Sequence, residues 1–381
     1  MRRGIALAVL GAVAFGITYA DHAPLIPLIA ADLGLSDVQS GILSTALFAA
    51  YLVTTLVGIG AIDRLGPRRA IGVGLALAAL GAALVATAPG YAVALAGKAT
   101  EGAGSALAFV SATRYIVGLY GDRRSHFALG LYGAGFPLGS ALALALMPTL
   151  ASTLGAWRSA FATEAVLIGL VAVAWTRSPA VLHVAARGDM RDALRCGNCW
   201  AMSLQHAAGF GLGLASGTWI TVFLLREFAL PLSLSGLLGS VLLFLAVVAR
   251  SLGGWLLARE HVPTKAVMRA GDLSIVIGVA LLALPERPLP VALAGMVLVG
   301  LGVGLPYAAV FNTAAASLPA APAAAQGLAA IGGTAGAMIG APVMGYAVQT
   351  LGFGAAWAVV GTVAATALAM TLRARGEEEL A

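Results

Sequence analysis

Thr153-Leu154-Gly155-Ala156-Trp157 and Thr350-Leu351-Gly352, the latter followed by Trp357, lie 197 residues apart in a chain of 381. That separation is about half the chain, and other landmarks recur at nearly the same offset. Gly58 and Pro67 map onto Gly254 and Pro263, and Arg69 onto Lys265, each 196 residues later. A proline in a glycine-rich setting, expected to break a helix, stands at Pro137 and again at Pro342. The sequence reads as two copies of one unit, the mark of an internally repeated architecture.

Composition says which solvent the repeats face. Sixty per cent of the residues are hydrophobic and ten per cent charged, whereas soluble domains carry roughly a quarter charged residues. A chain this apolar cannot cover itself with polar surface, so lipid must bathe most of it. The net charge of +6 comes from short basic clusters between apolar runs, the pattern of membrane loops, and no nucleic-acid partner is expected. Met1-Arg2-Arg3 before an apolar run has the outline of a secretory signal, with Tyr19-Ala20 as the candidate cleavage region. The run continues past Asp21 to about Ala31, however, and so reads as a retained first span.

Runs near the ~20 residues needed to cross a bilayer recur twelve times. They are drawn at 4–31, 38–62, 69–89, 91–119, 126–152 and 157–177, then 199–226, 232–258, 265–285, 289–317, 323–347 and 353–373. The expected fold is an all-α membrane protein of twelve transmembrane helices in two six-helix bundles related as parallel repeats. The bundles occupy 1–177 and 199–381, joined by a linker over 178–198. A β-barrel is excluded because the apolar runs are continuous, not alternating. Arginines and lysines gather on one side, from Arg2 and Arg3 through Arg64, Arg123, Arg177, Arg191 and Arg259 to Arg373. The other side holds only Arg158, Arg226 and Arg287. The positive-inside rule therefore places both termini in the cytoplasm of a cell whose inner (plasma) membrane the chain spans.

Spans two and three are joined by Asp63-Arg64-Leu65-Gly66-Pro67-Arg68-Arg69. An Asp at a helix end, a Gly that lets two helices meet closely and Arg side chains reaching neighbouring ends make a plausible conformational latch. The run resembles G-x-L-A-D-R-x-G-R-R, the signature of the major facilitator superfamily. Its leading Gly falls on Ile59, between Gly58 and Gly60, and Pro67 replaces a usual Arg. Lys98-Ala99-Thr100-Glu101-Gly102 is similar to that family's R-x-x-x-G in the fourth helix, with Lys for Arg. Gly133, Gly135, Pro137 and Gly139 are similar to the pattern of its fifth. The resemblance covers essentially the whole chain. It implies two bundles around a central cavity, alternating access by rocking, and helices one, four, seven and ten facing the cavity.

An ionisable group in mid-membrane costs roughly 2.5–3.5 kcal/mol on insertion scales, so each needs a partner or a wet cavity. Asp21, Lys98, Glu101, Arg114, Glu164, Arg250 and Asp272 are such groups. Lys98 and Glu101 are three apart and share a helix face. At ~1.5 Å per residue, Asp21 and this pair fall in one layer about 10–15 Å deep. Two carboxylates sharing one ammonium suit a proton carrier; a structural ion pair beside a bent first helix is the other reading. Arg114 either attracts an anionic substrate or snorkels to the headgroups. Arg250 and Asp272 are expected to form a structural pair near one membrane face. Glu164 receives no role.

On the cavity-facing helices the resemblance names, Tyr19, Gln205, His206, Trp219, Tyr307 and Asn312 are candidate substrate contacts. His206 is a relay or a helix-to-helix bond, and Pro306 before Tyr307 predicts a kink. Cys196-Gly197-Asn198-Cys199 has the spacing of metal and redox sites, but no second pair or His cluster accompanies it. No disulfide framework, metal or cofactor is expected. No phosphate-binding loop is present to use ATP, and no Ser/His or metal cluster suggests an enzyme.

The reading is a monomeric secondary transporter of a small polar or anionic organic solute, coupled to protons through Asp21, Glu101 and Lys98. Alternatives are a facilitated uniporter, a drug or metabolite efflux antiporter, and a non-transporting membrane sensor. Aromatic residues make up only seven per cent, which disfavours a large aromatic-lined drug site.

Overall fold

The computed structural model describes residues 2–57, 64–120, 126–181, 190–259 and 262–380. Among them every regular element is a helix. The first half gives α1 (Arg2–Thr18, resuming at Ile26–Leu33), α2 (Asp37–Val57), α3 (Pro67–Ala86), α4 (Tyr91–Tyr120), α5 (His126–Thr153) and α6 (Trp157–Trp175). The second half gives α7 (Gly197–Phe228), α8 (Leu232–Leu257), α9 (Thr264–Ala283), α10 (Leu289–Ser317), α11 (Pro322–Leu351) and α12 (Phe353–Met370). Eleven of these are long and apolar enough to cross a membrane. The twelfth, α4, is 30 residues long but carries Lys98, Glu101 and Arg114. Length and hydropathy thus pass over a helix with charges in its interior. Two compact units result. One comprises Met1–Ala186, Ile220–Leu225 and Ala229–Ser240; the other comprises Arg187–Trp219, Arg226–Phe228 and Val241–Ala381.

The helix ends follow local chemistry. Ser36 and Gln39 exchange backbone-to-side-chain bonds of 2.9 and 3.2 Å in a capping box that starts α2. Gly66, at φ 75°, turns the chain into α3, with Pro67 in its first turn. Gly155 and Gly352, at φ 79° and 85°, turn α5 into α6 and α11 into α12, so Thr-Leu-Gly marks the same left-handed turn in both halves. Trp157 and Trp357 beyond these turns are both buried.

Glycine contacts show the repeat more sharply than the turns do. In the first unit α3 and α4 touch at Gly74–Gly104 and Gly81–Gly97. A methyl built on Gly74 would stand 2.5 Å from the Gly104 carbonyl oxygen, and one on Gly81 2.6 Å from that of Gly97. In the second unit α9 and α10 touch at Gly271–Gly302 and Gly278–Gly295, where the same distances are 2.9 and 2.6 Å. Gly102 lies against the Leu47 carbonyl as Gly300 lies against that of Leu242. Gly139 approaches Gly16 as Gly211 approaches Gly336. These equivalences run at offsets of 195 to 198 residues. In hydrocarbon, where apolar side chains gain nothing by leaving the solvent, such close backbone approach is how helices hold together.

Two expectations change. Pro137 and Pro342 do not break their helices but sit inside them, within the spans drawn through both, since neighbouring helices can satisfy the carbonyls a proline frees. Cys196 and Cys199 are joined as a disulfide at the start of α7, where none was expected. Cys196 is the extended N-cap residue of that helix, and the first turn brings the two Cα atoms to 5.2 Å, a separation disulfides commonly span.

Candidate functional site

The first helix does not run straight through. Arg2–Thr18 ends, a 3₁₀ turn covers Ala23–Leu25, and the helix resumes at Ile26. Asp21 and His22 lie in the break, both fully buried. A break in mid-span frees backbone carbonyls that lipid cannot satisfy, and Lys98 of α4 takes one of them. Its ammonium donates to the Thr18 carbonyl at 2.8 Å, to Asp21 Oδ1 at 2.6 Å and to Glu101 Oε2. Asp21 Oδ1 also receives the His22 backbone N–H at 2.5 Å and faces His22 Nδ1 at 3.0 Å. His22 Nε2 meets the Ser44 hydroxyl of α2 at 2.8 Å. Three helices therefore converge on one dry cluster.

Glu164 of α6 belongs to it as well. It is buried and feels the charges of Asp21, Glu101 and Lys98. The cluster holds three carboxyl groups, one ammonium and one imidazole, with more acceptors than donors. Asp21 Oδ2, Glu101 Oε1 and both Glu164 oxygens have no hydrogen-bond partner. Orphaned buried acid oxygens are expensive, and each added proton supplies both a donor and a positive charge.

Toward the start of α1 the ionic cluster gives way to rings. Phe15, Tyr19, Phe48, Tyr51, Phe109, Tyr132 and Phe136 pack with neighbouring centroids 5.5–6.5 Å apart. Seven of the chain's 12 Phe and 8 Tyr meet here, so an average aromatic content misjudges the local one.

The second unit has a different arrangement. His206 Nδ1 bonds the Ala329 carbonyl at 3.0 Å; a carbonyl only accepts, so Nδ1 carries the hydrogen and Nε2 is the acceptor. That Nε2 is buried without a hydrogen-bond partner. The imidazole stacks on Phe210 at 5.3 Å and meets Phe311 edge-on at 4.9 Å and Tyr307 at 5.9 Å. The Arg250 guanidinium lies 4.4 Å over the Tyr307 ring. The helix α10 breaks at Pro306 as expected, and Tyr307 restarts it. Arg250 and Asp272 are not joined as the sequence reading supposed: Asp272 Oδ2 accepts from Gln205 Nε2 at 3.0 Å, and Arg250 turns to Tyr307.

Other candidates are partly spent or distant, although Gln205 Oε1 is buried without a hydrogen-bond partner. Gln205 Nε2 also bonds the Ala367 carbonyl at 2.7 Å, and the buried Trp219 indole bonds that of Ala341 at 2.8 Å, tying α7 to its neighbours. Asn312 is exposed near the end of α10. Arg114 is half-buried, about 24 Å along α4 from Lys98 at 1.5 Å per residue.

Residues 7–324 match the family profile of the major facilitator superfamily. The chain belongs to the major facilitator superfamily. A probable nitrate/nitrite antiporter, NarK1, of Thermus thermophilus is 30% identical over 247 residues, which are 59% of this chain and 54% of that protein. The human facilitated glucose transporter member 10 of solute carrier family 2 is 30% identical over 178 residues, covering 46% of this chain and 30% of its own. The chain thus matches about half or less of each curated relative's length. Among solved structures, a bacterial homologue of the human lysosomal transporter Spinster, inward-facing and unoccupied, superposes with a TM-score of 0.72. It covers 97% of this chain and 93% of its own at 18% identity, a likeness of fold alone.

The superfamily's signature turn is partly visible. Asp63 lies outside the described residues. Arg68 Nε donates to the Ser178 hydroxyl at 3.0 Å and Nη2 to the Thr176 carbonyl at 2.5 Å, while the Trp175 indole bonds the Arg68 carbonyl at 2.8 Å. Arg68 thus ties the start of α3 to the end of α6, and Arg64 and Arg69 are exposed. Sequence reasoning missed His22, Phe210 and Phe311 and gave Glu164 no role. His22 had a signal, a second polar residue next to Asp21 inside an apolar run. Glu164 had one too, an ionisable group inside an apolar span, but nothing in the sequence directed it to this cluster.

Proposed function

We propose that this superfamily member is a secondary transporter that couples movement of a small polar or anionic organic solute to protons by alternating access. The observation that carries the reading is the group of orphaned acid oxygens around Lys98. In this reading Asp21, Glu101 and Glu164 compete for one ammonium, and a proton arriving on the cluster satisfies oxygens that no donor reaches. Lys98 is the fixed counter-charge, and its bond to the Thr18 carbonyl links the protonation of the cluster to the break in α1. Rearrangement of a broken helix is a plausible way to convert a proton into a conformational change.

Solute recognition is assigned to the second unit, at Tyr307, His206 and Arg250. A half-buried guanidinium near an imidazole acceptor favours a solute with acidic or hydroxyl groups. The names of the relatives, one an antiporter of nitrate and nitrite and one a facilitated glucose transporter, bracket this class and both modes of coupling. The chain is proposed to work as a monomer in the plasma (inner) membrane with both termini in the cytoplasm.

The test is uptake into proteoliposomes with an imposed pH gradient. Transport by the wild type should follow the gradient, and Asp21→Asn should lose gradient-driven accumulation while retaining downhill exchange. Uptake that ignores the gradient, together with normal accumulation by Asp21→Asn, would leave facilitated uniport as the correct reading.

A further inference from the structure

One cavity of the second unit belongs to neither charged site. A groove of about 390 Å³ runs between α7, α11 and α12, walled by Trp200, Ala207, Ala335, Ile339, Val343 and Val359. Its one polar wall residue, Ser203, spends its hydroxyl on the Leu328 carbonyl at 3.1 Å. Nothing in the groove can therefore recognise a polar solute. It is open to the surroundings, since Trp200, Ile339 and Val343 are 50%, 55% and 40% exposed. The wall residues of α7 run from Trp200 to Ala215, about 22 Å at 1.5 Å per residue, or most of the ~30 Å hydrocarbon core. The floor is the Gly211–Gly336 approach, where the π turn Ala207–Gly211 seats α7 against α11. In a superfamily of membrane-spanning bundles, an open groove of this length whose one polar hydroxyl is already bonded offers its walls to bilayer hydrocarbon.

The mouth of the groove is charged. The Trp200 indole donates to the Leu194 carbonyl at 2.9 Å, holding the short helix Met190–Arg195 over that end. Arg191 and Arg195 of this helix are exposed, as is Arg373 just beyond α12, and Asp192 offsets one of the three. A tryptophan at a membrane boundary beside arginines is the pattern that holds lipid headgroups.

We propose that the groove is a binding site for an anionic glycerophospholipid, one acyl chain lying along α7, α11 and α12 and the headgroup held by Arg191, Arg195 and Arg373. The site is independent of proton coupling and of the solute site.

The experiment titrates the full chain in detergent with phosphatidylglycerol and phosphatidylcholine of identical acyl chains. Native mass spectrometry reads occupancy, and brominated-chain lipids read quenching of Trp200 by difference from Trp200→Phe. The wild type should retain one phosphatidylglycerol and prefer it about fivefold or more, as expected for one to two effective arginine contacts. Arg191→Gln with Arg195→Gln should abolish that preference and leave bromine quenching in place. Ala335→Phe, which fills the groove, should remove both. Should Ala335→Phe misfold, Ile339→Trp blocks the same groove from its exposed rim. Equal binding of the two lipids by the wild type overturns the proposal, as does wild-type quenching in a groove-filled variant that folds. So does a lipid-free dimer, which would mean that a second copy fills the groove.

Discussion

The two units solve one packing problem and differ in what they bury. At the offsets set by the glycine contacts, 195 for α1 onto α7 and 198 for α4 onto α10, Asp21 falls on Ser216, Lys98 on Met296 and Glu101 on Val299. All six are buried. His22 falls on Gly217, and Glu164, at the 197 of the α5–α6 turn, on Gly361. The second unit therefore builds the same helix contacts with a thioether and a valine where the first uses an ion cluster. A scaffold that stands without the charges does not need them to fold, which argues that the first unit keeps them for function. The rings, by contrast, are partly shared: at the same offsets Phe210 falls on Phe15 and Tyr307 on Phe109, whereas His206 falls on Gly11.

That comparison can be broken at its centre. Lys98→Met alone leaves Asp21 and Glu101 buried without their cation, and removing one partner of a buried pair costs about 3–5 kcal/mol. Thermal unfolding in detergent should show a large loss. The triple substitution Asp21→Ser, Lys98→Met, Glu101→Val installs the second unit's residues and should recover most of that stability while abolishing gradient-driven uptake. If the triple variant is as unstable as Lys98→Met, the cluster is structural and the contrast between the units teaches nothing about coupling.

The glycine pairs test the other half of the comparison, the shared scaffold. Gly81→Ala and Gly278→Ala each place a methyl 2.6 Å from a carbonyl oxygen of the facing helix. Overpacking of this kind costs about 1–3 kcal/mol, and the two losses should agree. A difference beyond that range between equivalent sites would show that the units do not share one packing scheme. Arg250→Gln sharpens the contrast between the sites themselves. It removes the cation offered to an anionic solute, and a hydrogen bond to a charged group is worth about 1.5–3 kcal/mol, so the half-saturating concentration of such a solute should rise roughly tenfold or more at unchanged pH dependence. A shifted pH profile instead would place proton coupling in the second unit.

Much of this was legible in the chain. Twelve apolar runs and the Thr-Leu-Gly turns carry the architecture, because membrane spans are dictated by hydropathy and left-handed turns by glycine. The Asp21–Lys98–Glu101 contact was also legible, since charges in lipid must find one another, depth along a helix can be counted, and the family resemblance sets helices one and four toward the same cavity. Gly74, Gly81, Gly97 and Gly104 show their seven-residue spacing only once one knows which helices touch. The partners of Arg250 and Asp272 were misread because depth gives the layer of a side chain and not its direction. Gln205, one of several polar residues on α7, reached Asp272 first, and the π face of Tyr307 drew Arg250 elsewhere.

The smallest effect tests the comparison at the ends of the helices. Both units tie the start of their third helix to the segment after their sixth, by different chemistry. In the first, Arg68 reaches Thr176 and Ser178. In the second, Glu378 accepts from the Thr264 backbone N–H at 3.1 Å and its hydroxyl at 2.8 Å, and Lys265 pairs with Glu379 at 3.0 Å. Partial burial acts to raise the Glu378 carboxyl, but hydrogen bonds from its own backbone, from Thr264 and from Lys265 outweigh it and hold the group below its ordinary value. A carboxyl with a lowered folded-state pKa stabilises its tie fully above the unfolded value, about 4.3 for Glu. The tie is then lost as the pH falls through the folded value. The first unit's tie contains no carboxyl group, its acceptors being a hydroxyl and a backbone carbonyl. Hydrogen exchange should therefore show residues 376–380 protected at neutral pH and released in acid, with the 176–178 segment unchanged over the same range. Glu378→Gln should release the tail already at pH 7, because a neutral amide takes the place of the carboxylate facing the start of α9. Equal protection of the tail in that variant would mean that Lys265 and the Asn198–Arg375 backbone bonds hold it without the carboxylate.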